Sequence, residues 1–305
     1  MRLMRLLVSL AIAVSSVLAG AVIGSAATSA AYTCSGGTAR HPSIINPGNY
    51  SAIIVTGKCL IPGGTVNVRH DVTIGPGAAL IANLGGSPGG PPEDDAILNV
   101  GGSMLVGGGA TLIMGCAPSF GCNTTTPDKI AGDLIADHPL GLLLHADSVG
   151  GDFTIHGGGG QDYSCSGKGI FTQFQSPVYS TFEDGSIGRN ATIDGYKSCW
   201  LGFTRTYVGG DLSVNNNILG DPDAIEILSS HIVGNLSCHG NMFADTSTTP
   251  ATFTLHQPWD SADTSSTGSL YPRTWEPNTV INGKRYGQCV HAPAITRGGT
   301  SPGPF

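Results

Sequence analysis

A nine-residue pattern recurs along this chain and narrows the folds open to it more than any other feature. It reads apolar, two small or turn residues, Asp, Asn or Ser, then apolar, any, apolar, any, and a closing Gly, Asn or Pro. Copies begin at Val68 (V-R-H-D-V-T-I-G-P), Val100, Val149 (V-G-G-D-F-T-I-H-G), Ile187, Val208 (V-G-G-D-L-S-V-N-N) and Ile232, with a weaker one at Ile130. The first two extend alike at the same offset, G-P-G-A-A-L-I-A from Gly75 and G-G-G-A-T-L-I-M from Gly107. A second apolar pair precedes three others at fixed offsets: Leu142/Leu144, Leu201/Phe203 and Ile225/Ile227. Self-similarity of this kind marks repeat architectures.

The apolar-any-apolar run sets one side of a strand inward. The Gly-Gly-Asp or Gly-Gly-Asn step is expected to bend the chain through left-handed backbone angles. The tightest copies lie 19, 21 and 24 residues apart, which suits one turn of a coil and not a two-residue hairpin. Glycine supplies 46 of 305 residues and charged residues only 11%, a composition natural where a strand must turn every few residues. The expected fold is all-β: a single-domain parallel β-helix (β-solenoid), right-handed, capped and disulfide-stapled.

One coil cannot bury its apolar strip, but stacked coils share a continuous core. Inward columns are expected from Val72, Ile74, Leu112, Ile155, Ile193, Val214 and Leu236. The fourth repeat position (Asp71, Ser103, Asp133, Asp152, Asn190, Asp211, Asn235) forms a column of turn residues whose side chains bond neighbouring backbone. The coils span 68–241, an N-terminal cap 32–67, a C-terminal cap segment 242–289 and a disordered tail 290–305. Caps are needed because an open terminal coil is an unpaired sheet edge. The larger gaps hold loops at Gly85–Asp95, Cys116–Lys129 and Gly157–Gly185.

Met1, Arg2 and Arg5, an apolar stretch from Leu6 to about Ile23 and small residues ending Ser29-Ala30-Ala31 read as a signal peptide over 1–31. The processed protein is expected to have no integral membrane segment and to be secreted, extracellular or held at the cell wall. Eight cysteines remain, an even number in an exported chain, which favours disulfides. They lack the close pairs that zinc sites use, so no metal is implied. Pairing of sequential neighbours gives the simplest staples: Cys34 with Cys59, Cys116 with Cys122, Cys165 with Cys199 and Cys238 with Cys289. Removing Arg2 and Arg5 leaves 12 basic against 21 acidic residues, a formal charge of about −9. The basic residues are scattered singly, so nucleic acid is excluded as a partner; an extracellular glycan or a cell-surface protein fits better.

The opening C-S-G-G-T with P-G-N-Y, the G-P-G-A-A-L-I-A run, S-C-W-L-G-F, the V-G-N-L-S-C-H-G-N step and the closing G-Q-C together resemble an uncharacterised family of exported actinobacterial β-solenoid proteins built on a Gly-Gly-Asn-Leu repeat. The resemblance runs from about Cys34 to Cys289 and implies architecture, not chemistry. The chain departs from it in a longer segment between Asn241 and Cys289 and in several Asp residues where Asn is commoner. A more distant likeness is to right-handed parallel β-helix proteins at large, which include pectate lyases and polygalacturonases as well as non-catalytic adhesins. Fold likeness does not choose among them.

The eighth repeat position points outward and carries Gly75, Gly107, Asp137, His156, Asp194, Asn215 and His239. Adjacent coils sit about 4.8 Å apart, so His156 meets Asp194 if residues 157–185 bulge out as a loop. Such a row offers an acid/base pair for glycan chemistry, and Asp137 with Asp194 the two carboxylates of a glycosidase; the alternative is a solvated polar face. Glu183 and Asp184 adjoin in the long loop but point apart. Asp221, Asp223 and Glu226, close after Asn215-Asn216-Asn217, offer oxygen ligands of the kind calcium takes, though a Pro-containing turn explains them more plainly. Trp200 is the candidate for stacking on sugar; Trp259, Trp275, Tyr207, Tyr271 and Tyr286 are the other aromatics. Nothing resembles G-x-S-x-G, a phosphate loop or H-E-x-x-H, so no cofactor is implied. The expected function is a secreted, non-catalytic structural or adhesive surface solenoid, wall- or matrix-associated. The alternatives are a polysaccharide-active enzyme, glycoside hydrolase more than lyase, and a carbohydrate-binding module without turnover.

Overall fold

The computed structural model describes residues 30–82, 96–116, 125–221, 225–255, 259–261 and 279–291. Residues 1–29 of the expected signal peptide, all of the Gly85–Asp95 loop, Cys122, Asp223, Tyr271, Trp275 and the tail beyond 291 lie outside the described residues.

The chain winds as a parallel β-helix. Each coil gives one strand to each of three parallel stacks. The first sheet has ten strands, from Tyr32–Cys34 to Arg285–Gly287; the second has nine, from Ser43–Ile44 to Trp259–Ser261; the third has nine, from Gly48–Tyr50 to Val280–Ile281. A four-stranded sheet, Lys197–Ser198, Ile218–Leu219, Met242–Asp245 and Thr252–Leu255, flanks the last coils, and only its final pair is antiparallel. Residues 32–67 already supply strands to all three stacks, ahead of the first repeat copy. The repeat formula is absent there because Ser51-Ala52 makes a shorter bend before Ile53–Val55 than Arg69-His70-Asp71 makes before Val72–Ile74.

Register places like on like. In the first sheet Ile155, Ile193 and Val214 stack in one inward column, with Ile74 further down the same column; Val72 and Leu236 belong to the parallel column of the same strands, and Leu112 to the second sheet. All seven are buried. The second-sheet pairs Leu144, Phe182, Phe203 and Ile227 likewise align. Aromatic rings fill the middle coils, where Phe153 meets Phe182 at 5.5 Å and Phe203 at 5.9 Å. The third sheet is built on the apolar residue that opens each repeat copy, since Val68, Val100, Ile130, Val149, Ile187, Val208 and Ile232 stack in one column; the sequence does not show it as a strand because from Lys129–Ile130 onward its strands are two residues long and carry no alternation.

The fourth repeat position forms a continuous ladder between coils. The Ser103 N–H donates to Asp71 Oδ1 (2.8 Å), Asp133 N–H to Ser103 Oγ (3.1 Å), Asp152 N–H to Asp133 Oδ1 (2.9 Å) and Asn190 N–H to Asp152 Oδ1 (3.0 Å). Asp211 N–H then donates to Asn190 Oδ1 (2.9 Å), Asn235 N–H to Asp211 Oδ1 (2.6 Å) and Lys284 N–H to Asn235 Oδ1 (3.0 Å). Glycine precedes five of the seven fourth-position residues, with His70 before Asp71 and Arg189 before Asn190, and it has a reason other than the left-handed angle expected from sequence: Gly102, Gly132, Gly151, Gly210 and Gly234 are not among the positive-φ residues. A Cβ at Gly102, Gly151, Gly210 or Gly234 would lie 1.9–2.3 Å from the side-chain oxygen of the rung below. Close approach between coils, not backbone handedness, requires glycine there. The left-handed residues sit at other corners, as a column of Ala146, Asp184, Arg205 and Ser229 between the second and third sheets.

Disulfides join Cys34 to Cys59, Cys165 to Cys199 and Cys238 to Cys289, as the sequential pairing expects. Cys116 is also disulfide-bonded.

Candidate functional site

The outward row predicted from the eighth repeat position exists. Asp137 pairs in register with His156, His156 with Asp194, Asp194 with Asn215 and Asn215 with His239, all at the ends of first-sheet strands. Pleating turns these side chains away from the core, while the next residue in each coil (His138, Gly157, Gly195, Asn216, Gly240) takes a left-handed φ to round the corner. His156 Nδ1 lies 3.8 Å from Asp194 Oδ2, beyond hydrogen-bond length. Asp194 instead accepts from Asn216 Nδ2 at 2.7 Å, and Asp137 Oδ1 lies 2.8 Å from Nδ1 of its own neighbour His138. Asp137 and Asp194 flank one intervening strand, about 9.6 Å apart by strand spacing, near the wide limit for inverting glycosidases, about 9.5 Å. The side chains of His156 and Asp137 are 63% and 72% exposed, so water screens any pair they form.

Trp200 does not stand ready for sugar. It is fully buried, edge-on to Tyr179 at 5.8 Å, because the strand Trp200–Thr204 is covered on both faces. Tyr207 and Tyr286 are exposed; the side chain of Trp259 lies outside the described residues. Of the oxygen-rich set around Asp221, Asp223 lies outside the described residues, and Asn215, Asn217 and Glu226 belong to different surfaces of the fold. Asn217 is buried and accepts the Tyr196 N–H at 2.8 Å, Asn215 points outward, and Glu226 is buried on a second-sheet strand. Among the described residues no group of three or more His, Cys, Asp or Glu is placed to hold a metal ion.

Two buried polar clusters escaped the sequence reading. Residues 179–183 are not loop but a second-sheet strand, and Phe182 on its inward face leaves Glu183 on the other. There Thr181 Oγ1 donates to Glu183 Oε1 (2.8 Å), and Arg205 Nη2 reaches both Glu183 Oε2 (3.2 Å) and Asp184 Oδ2 (2.8 Å). Adjacent carboxylates thus converge on one guanidinium. His145 Nδ1 stands 3.8 Å from Glu183 Oε1, and burial holds this imidazole neutral by pushing its pKa down to about 3. A signal for the strand was present: Phe182 precedes Ile187 by the same five residues as Leu144 precedes Val149. Disulfide Cys165–Cys199 and the Phe171 ring, 5.7 Å from Tyr179, hold the 157–178 segment over this face.

The second cluster is a stacked carboxyl pair. Asp128 accepts N–H groups from Leu98 (2.6 Å) and Gly115 (2.8 Å), and donates its own N–H to Asp147 Oδ1 (2.9 Å). Both residues are buried. Burial pushes Asp128 up to about 7 and Asp147 well above the usual carboxylate range, with the neighbouring carboxyl adding to the latter. Enclosure denies a substrate access to either.

Comparison of the chain with protein-family models, with curated proteins and with solved structures finds no match.

Proposed function

We propose that the chain is a secreted, non-catalytic structural or adhesive solenoid, held at the cell wall or in extracellular matrix, with a glycan or a cell-surface protein as its partner. The observation that carries this reading is the use made of acidic side chains. Asp71, Asp133, Asp152 and Asp211 receive backbone N–H groups from the next coil, Asp128 and Asp147 lie sealed between coils, and Glu183 and Asp184 hold Arg205. Carboxylates engaged in holding coils together are not available as acids or bases. Three disulfides suit an oxidising compartment, and among the described residues no helix is long and apolar enough to cross a membrane. The sequence likeness to exported actinobacterial solenoids supports export and the solenoid architecture and is silent on chemistry.

A second reading, a polysaccharide-active hydrolase, is favoured only by the Asp137, His156 and Asp194 row. Incubation with a polysaccharide panel separates the two, with reducing ends and unsaturated products measured for the wild type and for His156→Ala. The expected outcome is binding to wall or matrix material without product. Product that disappears in His156→Ala would overturn the non-catalytic reading.

A further inference from the structure

A groove of about 970 Å³ runs over the third sheet and the bend that follows it. It touches seven successive strands, from Gly48–Tyr50 to Tyr207–Val208, a length of about 29 Å at the usual strand spacing. We infer that this groove is a binding site for an uncharged, extended polysaccharide lying parallel to the solenoid axis. The inference rests on the adhesive reading and names its partner.

The outward positions of the sheet present a row of polar groups suited to vicinal hydroxyls. Asn67 Nδ2 donates to Asn49 Oδ1 and Asn99 Nδ2 to Asn67 Oδ1, both at 3.0 Å. A carboxamide has two N–H donors and two acceptor lone pairs. Asn67 therefore keeps one donor and one acceptor beyond those its ladder uses. Lys129 follows Asn99 in register, Ser148 and Ser186 carry the row on with hydroxyls, and Tyr207 is its last member in the groove, 45% exposed and edge-on to His231 at 5.4 Å. An amphipathic ring in that position presents an apolar body to the C–H face of a sugar. On the flank of the groove Gly101, Gly150 and Gly188 carry no side chain, whereas Arg69, His70 and Ala131 do.

Shape and charge select the ligand. An extended chain of equatorially linked pyranose rings advances by nearly one strand spacing per ring. Each rung then meets an equivalent part of the polymer, and weak contacts add along one chain. No carboxylate is among the described lining residues, and the fixed positive charges are those of Arg69 and Lys129 alone. Two cations over this length do not match a polyuronate, which carries a charge on every ring, so the uncharged polymer fits.

Affinity electrophoresis of the full chain tests this, through gels containing hydroxyethylcellulose, xylan, glucomannan or polygalacturonate. The wild type should be retarded by at least one neutral polymer. Asn67→Leu and Tyr207→Ala should each weaken retardation about tenfold, the scale of one lost hydrogen-bonding or stacking group, and replacement of an exposed first-sheet residue outside the groove, Leu105→Ala, should leave it unchanged. Circular dichroism confirms that each variant is folded. Retardation by no neutral polymer, or by polygalacturonate alone, would overturn the inference. So would neutral-polymer binding that survives both groove substitutions, although the adhesive reading would then stand. Groove-dependent retardation accompanied by release of reducing ends would support the site and overturn the non-catalytic reading.

Discussion

Alanine at Gly210 would set a methyl group 2.3 Å from Asn190 Oδ1 and 3.0 Å from the Arg189 carbonyl. The oxygen must move, and in moving it gives up the bond it accepts from the Asp211 N–H (2.9 Å) and disturbs the Asn190 Nδ2 donation to Asp152 Oδ1 (3.2 Å). Each bond contributes about 1 kcal/mol net, and crowding against the carbonyl adds about 1 kcal/mol, the low end for overpacking. Alanine offsets roughly 0.4–1 kcal/mol of this by restricting the unfolded chain. Asn190 and Asp211 are exposed, so the displaced oxygen can swing into water, and Gly210→Ala should cost about 2 kcal/mol. Gly108→Ala is the control: its Cβ would meet nothing within 4 Å and its φ is not positive, so its effect should stay within about 0.5 kcal/mol. Asn190→Ala should cost about 1–2 kcal/mol, and combined with Gly210→Ala it removes the clashing oxygen. The double variant should therefore fall short of the sum of the singles by about 1 kcal/mol or more. Urea titration with disulfides intact reads these values as midpoint shifts at constant slope. Equal midpoints for Gly210→Ala and Gly108→Ala, or strict additivity with Asn190→Ala, would refute the close-approach explanation of the glycines.

The raised carboxyls give a pH signature. Because burial pushes Asp128 up to about 7 and Asp147 well above the usual carboxylate range, the folded chain keeps protons that the unfolded chain releases near pH 4, so this pair lowers stability as pH rises from about 4 through about 7, by at most ~1.4 kcal/mol per unit per group. His145, neutral down to about 3, acts oppositely below about 6.5; comparing Asp147→Asn with wild type cancels it. The variant should gain stability relative to wild type between pH 4 and pH 8 in urea midpoints, and a flat difference would refute the buried-pair assignment. Replacing Cys165 and Cys199 together by Ser opens a crosslink of sequence separation 34, which should cost about 3.8 kcal/mol by loop-closure entropy and expose 157–178 to limited proteolysis; unchanged cleavage there would count against the clasp.

The stacked core was readable because pleating imposes a period of two that a sequence displays directly: Ile155, Ile193 and Val214 announce themselves in F-T-I-H, A-T-I-D and L-S-V-N. The Asp/Asn ladder was readable for a similar reason, since one turn position recurs at one place in each copy. The cause of the preceding glycine was not. It depends on a contact between Gly210 and Asn190, residues a full coil apart, which no local pattern contains. The third sheet shows in the sequence only as the apolar residue opening each copy, because a strand as short as Ser148–Val149 has no alternation to mark it. The burial of His145, Glu183 and Glu226 is not legible because polar residues read as surface, whereas the second sheet is buried on both faces. The groove row joins Asn49, Asn67 and Asn99 across 18 and 32 residues of sequence, beyond reach of any motif.

Parallel stacking in register also bears on what kind of function each surface can carry. Wherever coils repeat faithfully, an outward position becomes a row of similar groups at one spacing, as in Asn49, Asn67 and Asn99 or in Thr154, Thr192, Ser213 and Ser237. Rows of that sort recognise ligands that themselves repeat, because each rung contributes a small, equivalent contact. Acid–base catalysis asks for the reverse, two unlike groups at one place with unlike environments. In this chain such dissimilarity arises where the repeat is interrupted, beside the 157–178 insertion, and there Arg205 draws Glu183 and Asp184 into an ion-pair cluster. Among the described residues the faithful rows remain open to solvent while this irregular cluster is closed, as is the Asp128–Asp147 pair, and the proposed adhesive reading draws on that division.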